Sequence, residues 1–117
     1  MGISYFPVPS SSMKYSTLKK DSKAGKIKGC RFEAQEKGTY LDKGTGKAFA
    51  LFDSEGNWLF VHELDKQGNV ELDNYKLSNN NSLLILSKLA SYYKCKIRDD
   101  VDNDSTYSAS DLKGAYE

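Results

Sequence analysis

The turn string Asp-x-x-Gly-Asn occurs twice, twelve residues apart, as Asp53-Ser54-Glu55-Gly56-Asn57 and Asp65-Lys66-Gln67-Gly68-Asn69. A related turn, Asp42-Lys43-Gly44-Thr45-Gly46-Lys47, begins eleven residues before the first copy. Asp at the first position and Gly at the fourth suit a type I turn closed by a left-handed residue. Evenly spaced turns between apolar runs predict a meander of short antiparallel strands. The strands expected are 38–42, 47–53, 57–65 and 69–76, with a further one at 27–34.

The turns also predict a register. Phe52 faces Trp58, Ala50 faces Phe60 and Ala48 faces His62, while Leu51 faces Leu59 and Phe49 faces Val61. The same rule at the second turn pairs Leu64 with Val70, His62 with Leu72 and Val61 with Asp73. Glu63 then faces Glu71, a like-charge pair that speaks against this register. One face carries Leu41, Ala48, Ala50, Phe52, Trp58, Phe60, Leu64, Val70 and Leu72, with His62 among them, and reads as the core face. The other carries Tyr40, Phe49, Leu51, Leu59, Val61 and Tyr75, too apolar to stand in water without a cover. That cover is the chain's own N-terminal segment with Tyr5, Phe6 and Val8, a second copy of the chain, or a ligand.

A helix follows the meander. Asn80, Asn81 or Ser82 can cap it, and Ile85, Leu86, Leu89, Ala90 and Tyr93 fall on one side at helical spacing. The fold expected is α+β: an antiparallel β-meander of four to five strands packed on one C-terminal helix. Residues 1–26 read as a basic extended arm, 27–98 as a single α+β domain and 99–117 as an acidic flexible tail. The net charge of +1 hides this division. Residues 1–28 carry six Lys against one Asp, and residues 99–117 carry one Lys against six acids. Charged ends of this kind serve as interaction segments or as solvated surface.

Catalytic chemistry is not legible. The single histidine, His62, falls on the core face between Ala48 and Leu72 and reads as a core residue hydrogen-bonded to a neighbour. Cys30 and Cys95 stand 65 residues apart and form no zinc-ligand spacing, so both read as free thiols of a reducing, cytoplasmic compartment. The string from Lys43 to Lys47 lacks the first Gly and the final Ser or Thr of a phosphate loop, and reads as a turn. The longest apolar run, Leu83 to Leu86, is too short to span a membrane. No cofactor is expected.

Three functional readings follow. The first is a small non-enzymatic protein-binding module or inhibitor, of the kind found as phage or mobile-element accessory and immunity proteins. It acts by occluding another surface with the face of Tyr40, Phe49, Leu51, Leu59, Val61 and Tyr75, its partner being another protein or a second copy of itself. The second is a single-stranded nucleic-acid binder. Lys14, Lys19, Lys20, Lys23, Lys26 and Lys28 form its basic track, and Tyr40, Phe49 and Tyr75 its stacking platform. The third concerns the tail. Asp100, Asp102, Asp104 and Asp111 stand at positions 1, 3, 5 and 12 of a string that resembles a calcium loop of the EF-hand or dockerin type. Ser105 replaces the usual Gly at position 6, and position 12 is Asp rather than Glu.

Overall fold

The computed structural model describes residues 2–35, 43–75, 79–102 and 104–117. Among the described residues, six strands and three α-helices follow one another, with a 3-10 turn at Ser10–Ser12 after the first strand. They are β1 (Gly2–Val8), α1 (Tyr15–Lys23), β2 (Arg31–Ala34), β3 (Ala48–Phe52), β4 (Trp58–Glu63), β5 (Val70–Tyr75), α2 (Leu83–Tyr93), β6 (Lys96–Asp99) and α3 (Ala109–Tyr116). All strands join one antiparallel sheet in the order β2-β3-β4-β5-β1-β6. The α+β class and the antiparallel run of β3, β4 and β5 agree with the sequence pattern, but the sheet has six strands rather than four to five, three helices accompany it rather than one, and β2 pairs directly with β3. The strand expected at 38–42 lies outside the described residues.

The two repeated turns are alike in their hydrogen bonds. Asp53 Oδ1 accepts from the N–H groups of Glu55 and Asn57, and Asn57 Nδ2 donates to Asp53 Oδ2. Asp65 holds Gln67 and Asn69 in the same way. Gly56 and Gly68 take φ of 84° and 82°, the left-handed region that favours glycine. The exits differ. The Asp53 N–H closes the first hairpin on the Asn57 carbonyl, whereas the Leu64 N–H closes the second on the Asn69 carbonyl. The first register is the one read from the turns, with Phe52 opposite Trp58. The second is displaced by one residue: Glu63 faces Val70, His62 faces Glu71, Val61 faces Leu72 and Phe60 faces Asp73.

A one-residue displacement moves every side chain of a strand to the other face. Here it brings Leu72 beside Val61, Leu59, Leu51 and Phe49, all fully buried in one hydrophobic cluster. The expected core face is therefore inverted. The helices cover the face of Phe49, Leu51, Leu59 and Val61, and the face of Phe52, Trp58, Phe60 and His62 is the opposite one. Ile85, Leu86, Leu89 and Ala90 of α2 are buried in that cluster, as the helical spacing indicated, while Tyr93 packs against it half-buried. Tyr15 of α1 meets Phe49 at 5.4 Å between ring centroids.

Both ends of the chain belong to the fold. The segment read as an extended arm supplies β1, which lies inside the sheet with Tyr5 in the core. Residues 2–5 pair with β5 and residues 5–8 with β6. Pro7, which has no N–H to give, thus sits where β6 alone runs alongside. The segment read as a flexible tail supplies β6, then a return at Tyr107 that exchanges two backbone hydrogen bonds with Ile97. Helix α3 follows, with Leu112 buried and a capping box between Ser108 and Asp111. Of the acidic residues that suggested a solvated tail, Asp99 accepts from the N–H groups of Val101 and Asp102, Asp100 from that of Ser4 and Asp111 from that of Ser108. Cys30 and Cys95 are free, and burial pushes the Cys30 thiol up to about 11. Among the described residues no helix is long and apolar enough to cross a membrane.

Candidate functional site

Helix α1 turns Tyr15, Leu18 and Ser22 inward, which leaves Lys20 and Lys23 exposed and Lys19 half-buried on its outer side. The helix ends at Lys23, and Gly25 at φ 71° reverses the chain. Ile27 is then buried as an anchor, so its neighbours Lys26 and Lys28 stay exposed. Lys88 reaches across from α2 over Gly29, where a Cβ would come 2.7 Å from its Nζ. Ser87 of α2 donates to the Ala109 carbonyl at 2.7 Å and so ties α3, with its exposed Lys113, to α2.

Two clefts result. One, of ≈ 510 Å³, has Lys26, Lys28, Lys88 and Lys113 on its walls and Ile27 and Leu84 among its apolar lining. The other, of ≈ 770 Å³, is lined by Lys19, Lys20, Lys23 and Lys47, with Tyr15 and Glu63. Among the described residues, eight ammonium groups and one carboxylate therefore line the two clefts, one beside α1 and the other beside the turn that follows it. Such a surface attracts polyanions.

A second cluster lies on the sheet face away from the helices. Lys43 Nζ donates to Glu71 Oε2 and, at 2.8 Å, to Asp73 Oδ2. The Ser4 hydroxyl can donate to Asp73 Oδ1 at 2.8 Å or Glu71 Oε2 at 3.1 Å. His62, fully buried, places Nε2 3.0 Å from Asp73 Oδ2, and its Nδ1 finds no partner among the described residues. Burial alone would raise the Asp73 carboxyl, yet contacts with His62, Glu71, Lys43 and Ser4 hold it well below the usual range. Burial and the adjacent Asp73 push Glu71 up, against the pull of Lys43. Burial works against the Lys43 ammonium, but the two carboxylates outweigh it and hold Lys43 above its ordinary value. The serine donates to carboxylates rather than to an imidazole, and the imidazole has no exposed surface. This arrangement lacks the nucleophile and base pairing of covalent catalysis and reads as an electrostatic clamp between β1, β4, β5 and the Lys43 turn.

The residues read as one partner-binding face are not available as one. Phe49, Leu51, Leu59 and Val61 have no exposed surface, because the helices rather than a partner cover them. Tyr75 lies on the opposite face, edge-on to Phe60 at 5.3 Å, and Tyr40 lies outside the described residues. The same placement removes Phe49 as a stacking platform. Of the expected lysines, Lys14 donates to Asn69 Oδ1 at 2.7 Å and pins α1 to the second turn. Lys19, Lys20 and Lys23 line one cleft, and Lys26 and Lys28 the other. Sequence reasoning missed Lys47, Lys88, Lys113 and Tyr92. The outward positions of α2 at Lys88 and Tyr92 carried the one usable signal.

The four carboxylates of the calcium-like string are not gathered at one point. Asp100 accepts from the Ser4 N–H, Asp102 from Asp104 and Ser105, and Asp111 from the Ser108 N–H. Among the described residues, no group of three or more His, Cys, Asp or Glu side chains is placed to hold a metal ion. No protein-family model matches the chain, and no curated protein or solved structure is significantly similar to it. The functional reading rests on geometry and charge.

Proposed function

We propose that this protein is a non-catalytic nucleic-acid-binding domain that holds the phosphate backbone with the lysines of its helix layer. The observation that carries this reading is the ratio, among the described residues, of eight lysines to one carboxylate around the two clefts. The near-zero net charge is compatible with it, because acids such as Asp53, Asp65, Asp73 and Asp111 stand outside the two linings, in turns, in the α3 cap and in the clamp at Lys43. Lysine without arginine suits sequence-independent contact, since an ammonium meets a phosphate as a point charge and does not read base edges in bidentate fashion.

Occlusion of another protein's surface has less support. Its apolar sheet face lies in the core, and Tyr92 and Val101 are the exposed large apolar residues among those described. The deciding measurement is binding to labelled single-stranded and duplex DNA and RNA across a salt series. Affinity should fall steeply, with a slope in log–log form of about −0.7 per phosphate neutralised on single strands and about −0.9 on duplex. Reversing two charges at once, Lys26→Glu with Lys28→Glu, should lower both affinity and slope. No binding at low salt, or binding indifferent to salt, would overturn the proposal.

A further inference from the structure

Given a nucleic-acid ligand, we infer that the cleft between the 26–28 turn, α2 and α3 is a subsite for one unpaired nucleotide, with Tyr92 stacking on its base. This rests on the reading above and names the form of nucleic acid that it takes. The cleft's ≈ 510 Å³ falls within the roughly 300–1,000 Å³ of pockets that hold small molecules. Its lining is amphipathic in the manner a nucleotide requires. Ile27, Leu84 and Ala109 offer apolar surface to a base and sugar, while Lys26, Lys28, Lys88 and Lys113 offer charge to flanking phosphates. Those lysines come from the turn after α1, from α2 and from α3, so the strand meets cations on more than one side. Among the described residues, no carboxylate lines the cleft.

Tyr92 supplies the platform. It lines the cleft and is 40% exposed, and its neighbour Tyr93 holds it edge-on at 4.9 Å and 77°. Tyr93 is itself fixed, for its hydroxyl donates to Asp21 Oδ2 on α1 at 2.9 Å. A ring braced in this way gives a stacking surface without first having to be ordered. Aromatic stacking tolerates every base, and lysines around it track the backbone, which together describe a site for single strands without sequence preference. A duplex keeps its bases stacked inside and can present only phosphates to the same cleft.

Fluorescence anisotropy separates the possibilities. The probes are a labelled oligothymidylate, a strand of abasic sites of equal length, and a labelled duplex, each titrated at matched salt. The expected result is tighter binding to oligothymidylate than to either other probe. Tyr92→Ala should weaken oligothymidylate binding about tenfold while leaving the abasic strand, the duplex and the salt slopes unchanged. Tyr92→Phe should retain the wild-type preference, and unchanged circular dichroism spectra confirm that each variant folds. If all three probes bind alike and Tyr92→Ala has less than a twofold effect, the subsite is overturned and the basic face stands. If no probe binds at low salt, both fall together.

Discussion

Val61 faces Leu72 across β4 and β5, one residue away from the pairing that the second Asp-x-x-Gly-Asn turn would set by analogy with the first. Both side chains are fully buried, and the pair decides which face of the sheet becomes the core. Leu72→Ala should destabilise the protein by about 2–5 kcal/mol, the range for large-to-small changes in a packed core. Glu71 is the preceding residue but points to the other face, where its carboxylate meets Lys43 and Ser4. Denaturant melts of the Leu72 variant measure this, and a change below about 0.5 kcal/mol would place Leu72 outside the core.

Removing residues 1–12 should abolish cooperative folding. That deletion takes β1 from between β5 and β6, stripping the hydrogen-bond partners of both strands and removing Tyr5 from the core. Urea titration followed by circular dichroism and by tryptophan emission tests the expectation. A truncated chain with a sharp, native-like transition would contradict the interior placement of β1.

Lys43→Met should destabilise the protein more at pH 7 than at pH 4. The substitution leaves Glu71 and Asp73 adjacent without their cation. Asp73 is held below its ordinary value, so the stability it contributes is present above about pH 3.9 and is lost only as pH falls further. Glu71 is shifted the other way, so as pH falls it takes up its proton first, above the ordinary glutamate value of about 4.3. Once Glu71 is neutral, the repulsion that Lys43 offsets is relieved. Lys43 itself is raised, so its contribution is complete below its ordinary value of about 10.4 and disappears only as pH rises through the folded value. Parallel urea melts of wild type and variant at the two pH values supply the comparison. An equal loss at both would show that the clamp is not electrostatic.

Ser108→Ala should loosen α3 without unfolding the rest. The serine side chain accepts from the Asp111 N–H at 3.1 Å, and such caps are worth about 0.5–2 kcal/mol. Hydrogen exchange should speed up across 109–116 and remain unchanged in β3 and β4. Full exchange of α3 in the wild type within the dead time would mean that this segment is not docked.

The first hairpin was legible because Phe52 through Trp58 closes with the shortest exit that its Asp53-Asn57 bracket allows. The second was not, because an identical bracket at Asp65-Asn69 closes through Leu64 instead. Local turn chemistry is the same in the two, and what separates them is burial of Leu72 and escape from the Glu63–Glu71 pairing. β1 was hidden by Pro7 and Pro9, which read as an extended arm, and α3 by the acids before it. The lysines of the N-terminal third were visible as a set. Their meeting with Lys88 and Lys113 depends on tertiary contacts, such as Ser87 to Ala109, that no spacing encodes.

The way β1 divides its pairing between two strands has a consequence for assembly on the ribosome. The meander from β2 to β5 can zip by short-range steps as it emerges. β1 is made before its partners, and Ser4 meets Glu71 from 67 positions away and Asp100 from 96. Until those distant partners appear, Ile3, Tyr5 and Phe6 have no sheet to join. Contacts this far apart in sequence slow the search for the native state. The emerging chain therefore carries the apolar side chains of β1 unsheltered until β5 and β6 are made, and the later of those two strands is the one that finally encloses β1.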